Sequence, residues 1–437
     1  MVQQYFPLIK IVILPRYPVK NQNKYSILDN DGTAKGLSMI LLDGANWIFS
    51  TIRGNFRKAV TSFLRDRGNP SHIRISHPDV FANICHRQER ILMMNEKETL
   101  DRIGECRQSS LAGDGISPEQ ALWLLSLPED LSPVISEGAD AVREKFRGRL
   151  IDPCTVMNAK SGACSEDCHF CAQSTHFRTI APTYDLLAAN KIVEAAKAAQ
   201  QNGTRRFCIG TSGRSLENPT ELRIVEDALG RMHSELGLWA CATLGSVSGE
   251  TVSILKSAGL DRLHHNLETS RNHFPKIVST HAYDERVSTV RMAKDAGISV
   301  CSGGIFGVGE SNEDRVSLFS LLRELDVDSI PINFLVPIAG TPLSENDPAL
   351  GANEALRIIS VSRLFFPQKE VRICGGRIHA LKNRHPEIFY NGADGVMIGN
   401  YLTRSGRSPD LDIQMIREEG FDLVPPHALP SPTVHID

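Results

Sequence analysis

The chain has 437 residues, 41% of them hydrophobic and 23% charged, with a formal net charge of -3. That length suffices for a full core, as one large barrel with appendages or as two to three domains, and the near-neutral balance gives no reason to expect nucleic acid or a membrane surface as partner. No run of eighteen apolar residues occurs, so no transmembrane helix is expected, and ten cysteines scattered along the chain suit a reducing, cytoplasmic setting better than a disulfide framework.

Residues 1–93 differ from the rest, with thirteen Lys+Arg against six Asp+Glu, or +7, which leaves -10 for the remainder. Apolar patches at Ile11–Leu14 and Met39–Leu42 alternate with Pro15, Pro18, Gly44 and Gly54, without a sustained helical or strand period. Before Asp29 there are four basic groups and no acid, a faint presequence-like bias, though the stretch is poor in serine and arginine. The expectation is a poorly ordered extension of uncertain structure, possible upstream sequence with the natural start at Met93 or Met94. From Met94 to Cys106 the pattern predicts a short helix. Ser117-Pro118-Glu119-Gln120 opens a second, with cap, proline and glutamine in order, and Gly138 to Arg149 forms a third. Residues 94–150 are thus expected to form an N-terminal helical cap.

Next comes Cys164-x3-Cys168-x2-Cys171, three thiols within eight residues. Three ligands on a four-iron, four-sulfur cubane leave one iron open to a non-protein group. Zinc prefers paired cysteines with four ligands, and no second pair follows, while His169 sits on a tight loop between two of the thiols. On spacing alone the cluster is favoured, and zinc or accidental clustering stays open.

Beyond Ile151 short apolar strands alternate with amphipathic helices about every thirty residues, the pattern of repeated βα units. The predicted strands are Thr155–Ala159, Arg206–Gly210, Trp239–Thr243, Arg262–Asn266, Ser299–Gly303, Ser329–Leu335, Glu370–Ile373 and Gly395–Ile398. Eight such units predict a (β/α)8 TIM-type barrel over residues 151–412, with 413–437 as a tail. Polar residues then fall at predicted strand ends facing the active site: Cys208, Cys241, Asn266, Cys301, Asn333 and, just past the seventh strand, Arg377. A lone cysteine on an apolar strand is usually a small buried hydrophobe. Three at corresponding positions, each beside a small residue, point to a second cluster. The glycine-rich run Gly303-Gly304-Ile305-Phe306-Gly307-Val308-Gly309-Glu310 allows a backbone to approach a ligand, but it matches neither the dinucleotide fingerprint nor a phosphate loop.

The cysteine loop, with Phe170 before its last thiol and a barrel starting just upstream, resembles the signature of the radical S-adenosylmethionine enzymes. Within them the chain from about Met94 to Asp412 is similar to the biotin synthase family, through Gly162-Ala-Cys-Ser-Glu-Asp-Cys168, Arg206-Phe-Cys208, Ala240-Cys241-Ala-Thr-Leu-Gly245, His265-Asn266-Leu-Glu-Thr-Ser270, Tyr283-Asp-Glu-Arg286, Val300-Cys301-Ser-Gly-Gly304, Pro331-Ile-Asn333 and Gly375-Gly-Arg377. The resemblance implies that Cys164, Cys168 and Cys171 hold a 4Fe-4S cluster whose open iron takes S-adenosylmethionine, and that one electron delivered there releases a 5′-deoxyadenosyl radical. It implies that Cys208, Cys241, Cys301 and Arg377 hold a 2Fe-2S cluster whose sulfur is inserted into dethiobiotin to give biotin.

A protonated guanidinium has no acceptor, so for Arg377 the alternative is simple pairing with an anion. By the same resemblance Phe170, Asn266, Glu268, Arg286, Gly303, Gly304, Gly307 and Gly309 surround S-adenosylmethionine, and Asn266, Asn333 and Thr403 meet dethiobiotin. The family places two adjacent threonines where this chain has Thr403-Arg404, which puts the carboxylate contact in question. Cys85, Cys106, Cys154 and Cys374 match no ligand position and read as structural or free thiols, with Cys374 close enough to Arg377 in sequence to be a neighbour of the second cluster. Flavodoxin or ferredoxin as reductant, an iron–sulfur assembly system and a homodimer are further implications. A radical mutase or hydrogenase-maturation relative, or an iron or redox sensor, would keep the first loop but need no strand cysteines.

Overall fold

The computed structural model describes residues 23–28, 34–42, 46–50, 96–345 and 350–425. The chain divides into two units, residues 1–97 and 98–437. In the first, β1 (Asn23–Leu28), β2 (Ala34–Leu42) and β3 (Asn46–Ser50) form an antiparallel meander. Asp31-Gly32 and Asp43-Gly44 stand at its two reversals, a dipeptide that accepts the positive φ angles of tight hairpins. The sequence reading had found no strand period here. The other residues of the expected extension, Cys85 and the candidate starts among them, lie outside the described residues.

The second unit begins with helices over residues 96–112, Pro118–Ser126 and Ser132–Arg147. Ser117 caps as the sequence predicts: its hydroxyl accepts from the Gln120 amide at 3.2 Å, and the Gln120 carbonyl oxygen accepts from the Ser117 amide at 2.8 Å. The third helix starts six residues before Gly138, because Pro133 fits the first helical turn, where its missing N–H costs nothing.

Eight parallel strands then close a ring: β4 (Leu150–Lys160), β5 (Arg206–Thr211), β6 (Trp239–Thr243), β7 (Arg262–His264), β8 (Ser299–Cys301), β10 (Ser329–Phe334), β11 (Glu370–Ile373) and β12 (Gly395–Met397), with β12 returning to β4. Each falls where a strand was predicted, and the fold is a TIM-type (β/α)8 barrel. A short β9 (Gly304–Phe306) edges β10, and β13 (Asp422–Leu423) pairs with Leu150 and Ile151 at the start of β4. The boundary expected at residue 412 therefore falls within ordered structure, inside the helix Pro409–Glu418, whose Asp412 is fully buried.

Outside the ring, Phe306, Phe319, Phe365 and Phe366 pack with centroids 5.0 to 6.0 Å apart, a spacing at which aromatic rings attract beyond their simple burial. Inside it, the first residues of the strands carry charge. Arg262 bonds Glu370 at 2.5 Å, Arg372 bonds Asp152 at 2.6 Å and Glu370 at 3.2 Å, and Arg206 reaches Asp152 at 3.4 Å. All five are buried and together they floor the barrel. A further pair locks the seventh and eighth strands from outside: Arg363 bonds Asp394 and donates to the carbonyls of Gly392, Phe366, Pro367 and Lys369.

Removing one member of such a pair strands the other charge without solvent, at a cost of about 3–5 kcal/mol. Arg363→Met is therefore expected to lower the thermal midpoint of the metal-free protein by roughly 5–15 °C, at ~2–4 °C per kcal/mol for a domain of this size, read by circular dichroism. An unchanged midpoint would show that the pair contributes nothing net.

Candidate active site

Above the charged floor lies a cavity of about 390 Å³, open at the C-terminal ends of the strands. Its wall is built by strand alternation, since residues two apart face the same side. Three strands repeat one pattern, a floor charge followed two residues on by a thiol: Asp152-Pro-Cys154, Arg206-Phe-Cys208 and Arg372-Ile-Cys374. With Cys241 on β6 and Cys301 on β8, five buried cysteines line the one cavity.

Cys208 and Cys241 are direct partners across β5 and β6. Their thiols share a hydrogen bond, which together with burial holds Cys208 well above the usual thiol range, while donation from Cys208 sets Cys241 below it. Burial raises Cys301, despite the nearby charges of Arg262 and Arg372, and its thiol donates to the Ser329 hydroxyl at 3.6 Å. These cysteines had been placed at strand ends. Two of them instead stand third in their strands, deeper in the barrel, because β5 and β6 continue past them to Thr211 and Thr243.

Arg377 does not join them. Its guanidinium is fully buried against Asp412, with a further bond from its Nη2 to the Met397 carbonyl at 3.2 Å, and it does not line the cavity. The guanidinium beside the thiols is Arg372. Arg377 opens the short helix after Gly376, turned away from the strand face, whereas Arg372 lies on β11 with its side chain inward.

The loop of Cys164, Cys168 and Cys171 lies over the cavity's side. It is closed on itself by bonds from the Cys164 amide to the Gln173 carbonyl at 3.1 Å and from the Thr175 amide to the Cys164 carbonyl at 2.8 Å. The acids between the thiols fasten it to residues 279–281. Asp167 accepts from the Ser279 amide at 2.8 Å, and Glu166 accepts from the Thr280 hydroxyl at 2.7 Å and pairs with His281 Nδ1 at 2.6 Å. His281 Nε2 in turn meets Arg286 Nε at 3.1 Å, so a continuous chain of contacts joins the loop to the cavity wall. Burial pushes Cys168 up to about 12 and Cys171 up to about 11. Ligation of a metal would have to displace those protons. Among the described residues no three His, Cys, Asp or Glu side chains converge on one point as a single chelated ion requires; cluster ligands are spread over several irons.

Arg286, Glu268, Asn266 and Phe170 line the cavity beside this loop. Arg286 bonds the Asn266 carbonyl at 2.8 Å and lies 3.6 Å from Glu268, which takes a left-handed φ of 69°. Asn266 accepts from the Gly303 amide at 3.2 Å, and Asn333 bridges the Gly304 carbonyl and Gly375 amide at 3.1 and 2.9 Å. The glycine run behaves otherwise than expected. A Cβ at Gly303 would stand 2.1 Å from the Pro331 carbonyl oxygen and one at Gly304 2.4 Å from that of Glu268, so both are required by packing. The amides of Gly307 and Val308 are taken by Glu310 at 3.0 and 2.8 Å, and neither Gly307 nor Gly309 lines the cavity; Ile305 does.

At the mouth stand Thr403 and Arg404. The other cavity guanidiniums, Arg206, Arg262, Arg286 and Arg372, each have a carboxylate within 4 Å, whereas Arg404 is exposed and bonds the Pro337 carbonyl at 3.4 Å. Sequence reasoning missed Arg372, Glu166, Asp167 and His281. For Arg372 a signal was present in the alternation Glu370-x-Arg372-x-Cys374; for the others the partners lie over a hundred residues away.

Known proteins share this arrangement. The profile of the Radical SAM superfamily matches residues 159–322, and that of the Biotin and Thiamin Synthesis associated domain matches residues 331–422. Among solved structures, methylornithine synthase superposes with a TM-score of 0.64 at 21% identity, covering 74% of this chain and 98% of the other. The FeFe-hydrogenase maturase from Carboxydothermus hydrogenoformans superposes at 0.64 with 16% identity, covering 78% and 83%; both show the fold alone. Biotin synthase from Geotalea daltonii is 44% identical over 322 residues, 74% of this chain and 97% of the relative, and that from Persephonella marina is 43% identical over 74% and 96%. With relatives at that identity matched over nearly their whole length, the chain belongs to the biotin synthase family.

Proposed function

We propose that the chain converts dethiobiotin to biotin, replacing two C–H bonds by C–S bonds with S-adenosylmethionine as the source of the oxidising radical. The observation that carries this reading is the placement of two separate sets of thiols on one closed cavity, the loop set beside it and the strand set within it. A sensor or a relative using only the first loop has no need of the second set. When bound, a 4Fe-4S cluster with S-adenosylmethionine supplies the radical, and a 2Fe-2S cluster supplies the sulfur.

The protein's own contribution is positioning and exclusion of water. Cys164, Cys168 and Cys171 offer three thiolates from a loop held rigid by Asp167 and Glu166. Arg286 is placed to pair with the carboxylate of S-adenosylmethionine, Glu268 and Asn266 to accept from its ribose, and Phe170 and Ile305 to flank its apolar parts. Asn266 and Asn333, each presenting a donor and an acceptor, suit a cyclic urea. In the strand set, Cys208, Cys241 and Cys301 stand with Arg372 in the place that the resemblance had given to Arg377. Thr403 and Arg404 at the mouth meet the substrate's carboxylate, Arg404 through a charge-assisted pair. A flavodoxin or ferredoxin reductant, an iron–sulfur assembly system, a homodimeric state and a cytoplasmic location complete this reading.

Anaerobic reconstitution tests it. Wild type is expected to bind about six irons and Cys241→Ala about four, and the variant is expected to cleave S-adenosylmethionine yet form no biotin. Equal biotin formation by both proteins would remove the strand thiols from the reaction. Arg377→Met is expected to lower the thermal midpoint through the loss of its bond to Asp412 while leaving the iron count unchanged; loss of about two irons would return it to the ligand set. Arg404→Ala is expected to raise KM for dethiobiotin roughly five- to tenfold, as loss of an exposed pair of about 1 kcal/mol implies, with kcat unchanged. The same variant acting on dethiobiotin methyl ester should match wild type, and an equal KM defect on the ester would exclude the carboxylate contact.

A further inference from the structure

Two of the five thiols in the chamber have no role in the reading above. Cys154, on β4, and Cys374, just past β11, are as buried as Cys208, Cys241 and Cys301 and line the same cavity. Arg372, between them and the floor, has its guanidinium committed. Nη1 donates to the Asp152 carbonyl at 2.7 Å, and Nη2 donates to the Asp152 carboxylate at 2.6 Å and to Glu370 at 3.2 Å. A guanidinium held by two carboxylates is a cation, and a cationic guanidinium has protons to donate and no lone pair to offer a metal.

The fourth position on a two-iron cluster needs a lone pair, and thiolate is the donor such clusters ordinarily take. Cys154 is the spare thiol set among the others: Cys208, Cys301, Cys374 and Arg372 all lie within its electrostatic reach. It also occupies the step above a floor charge that Cys208 occupies on the neighbouring strand. The charges agree with this assignment. The floor sets three guanidiniums, Arg206, Arg262 and Arg372, against two carboxylates, Asp152 and Glu370, and so keeps one positive charge for an anionic occupant. Four thiolates around a two-iron, two-sulfur core carry more negative charge than three thiolates and a neutral guanidine.

We propose that Cys154 supplies the fourth thiolate of the strand cluster and that Arg372 is its buried counter-ion. Ligation forms one iron–sulfur bond at Cys154 Sγ and releases the thiol proton to solvent, with no change of oxidation state. The proposal rests on the two-cluster reading, from which its test is kept separable.

The full-length protein is reconstituted anaerobically with iron and sulfide after growth on 15N-arginine, and the one-electron-reduced strand cluster is examined by pulsed paramagnetic resonance. The expected wild-type result is the absence of coupling from a directly bonded arginine nitrogen. Cys154→Ser is expected to shift the g-values and absorption of the strand cluster and to lose at least half of its two irons, whereas Cys374→Ser and Arg372→Lys keep both. A direct 15N coupling in wild type, or a Cys154→Ser protein with the iron count and spectrum of wild type, overturns the proposal. The wild-type measurement stands even where a variant folds poorly. A wild-type chain that takes up only about four irons, with Cys241→Ala indistinguishable from it, overturns the two-cluster reading itself and this assignment with it.

Discussion

Everything above the barrel floor depends on five charges being buried together beneath it. Asp152, Glu370, Arg206, Arg262 and Arg372 come from four different strands, and each alone would forfeit several kcal/mol of hydration that only its partners restore. An apolar floor would be easier to bury. A charged one fixes the register of the strands that carry it, because a shift of one residue would turn every charge out of the barrel and every thiol with it. The lattice thus places the cysteines, and the cysteines in turn define what the cavity can hold.

The two cysteine sets are positioned by different means. The strand set inherits its geometry from the sheet, where backbone pairing leaves little freedom. The loop set stands on irregular chain and borrows rigidity from elsewhere, through Asp167 and Glu166 on residues 279–281 and onward through His281 to Arg286. The same acids that separate the thiols in sequence are the ones that tie the loop down. Arg286 therefore touches both the loop's anchor and the wall of the cavity, so the candidate cofactor contacts and the loop form one connected body.

Local pattern carried most of the fold. All eight ring strands, the Ser117 cap and the cysteine loop were readable because each depends on spacing within a dozen residues. What escaped depends on partners far apart in sequence. Arg377 and Arg372 both follow or sit on the seventh ring strand, and only the position of Asp412, thirty-five residues on, decides that the first is withdrawn. The glycine run looked like a ligand loop, whereas Gly303 and Gly304 are small because the backbones of Pro331 and Glu268 lie against them. Cys154 and Cys374 were set aside for want of a motif. The alternation of charge and thiol on three strands was visible all the same, once residues two apart are read as sharing a face.

The pairing of β12 and β13 with β4 has a consequence for how the molecule is made. Asp152 meets Gly395, and Leu150 meets Asp422, so the first strand of the ring waits for the last. At ribosomal rates of about 5–20 residues per second, the roughly 250 residues between them take on the order of 10–50 s to emerge. Throughout that interval the ring is unclosed, and the chamber's thiols are presented to the cell on an open, growing sheet. Any delivery of iron and sulfur that needs direct access to Cys208 and Cys241 has its widest opportunity then, before the end of the chain seals the barrel.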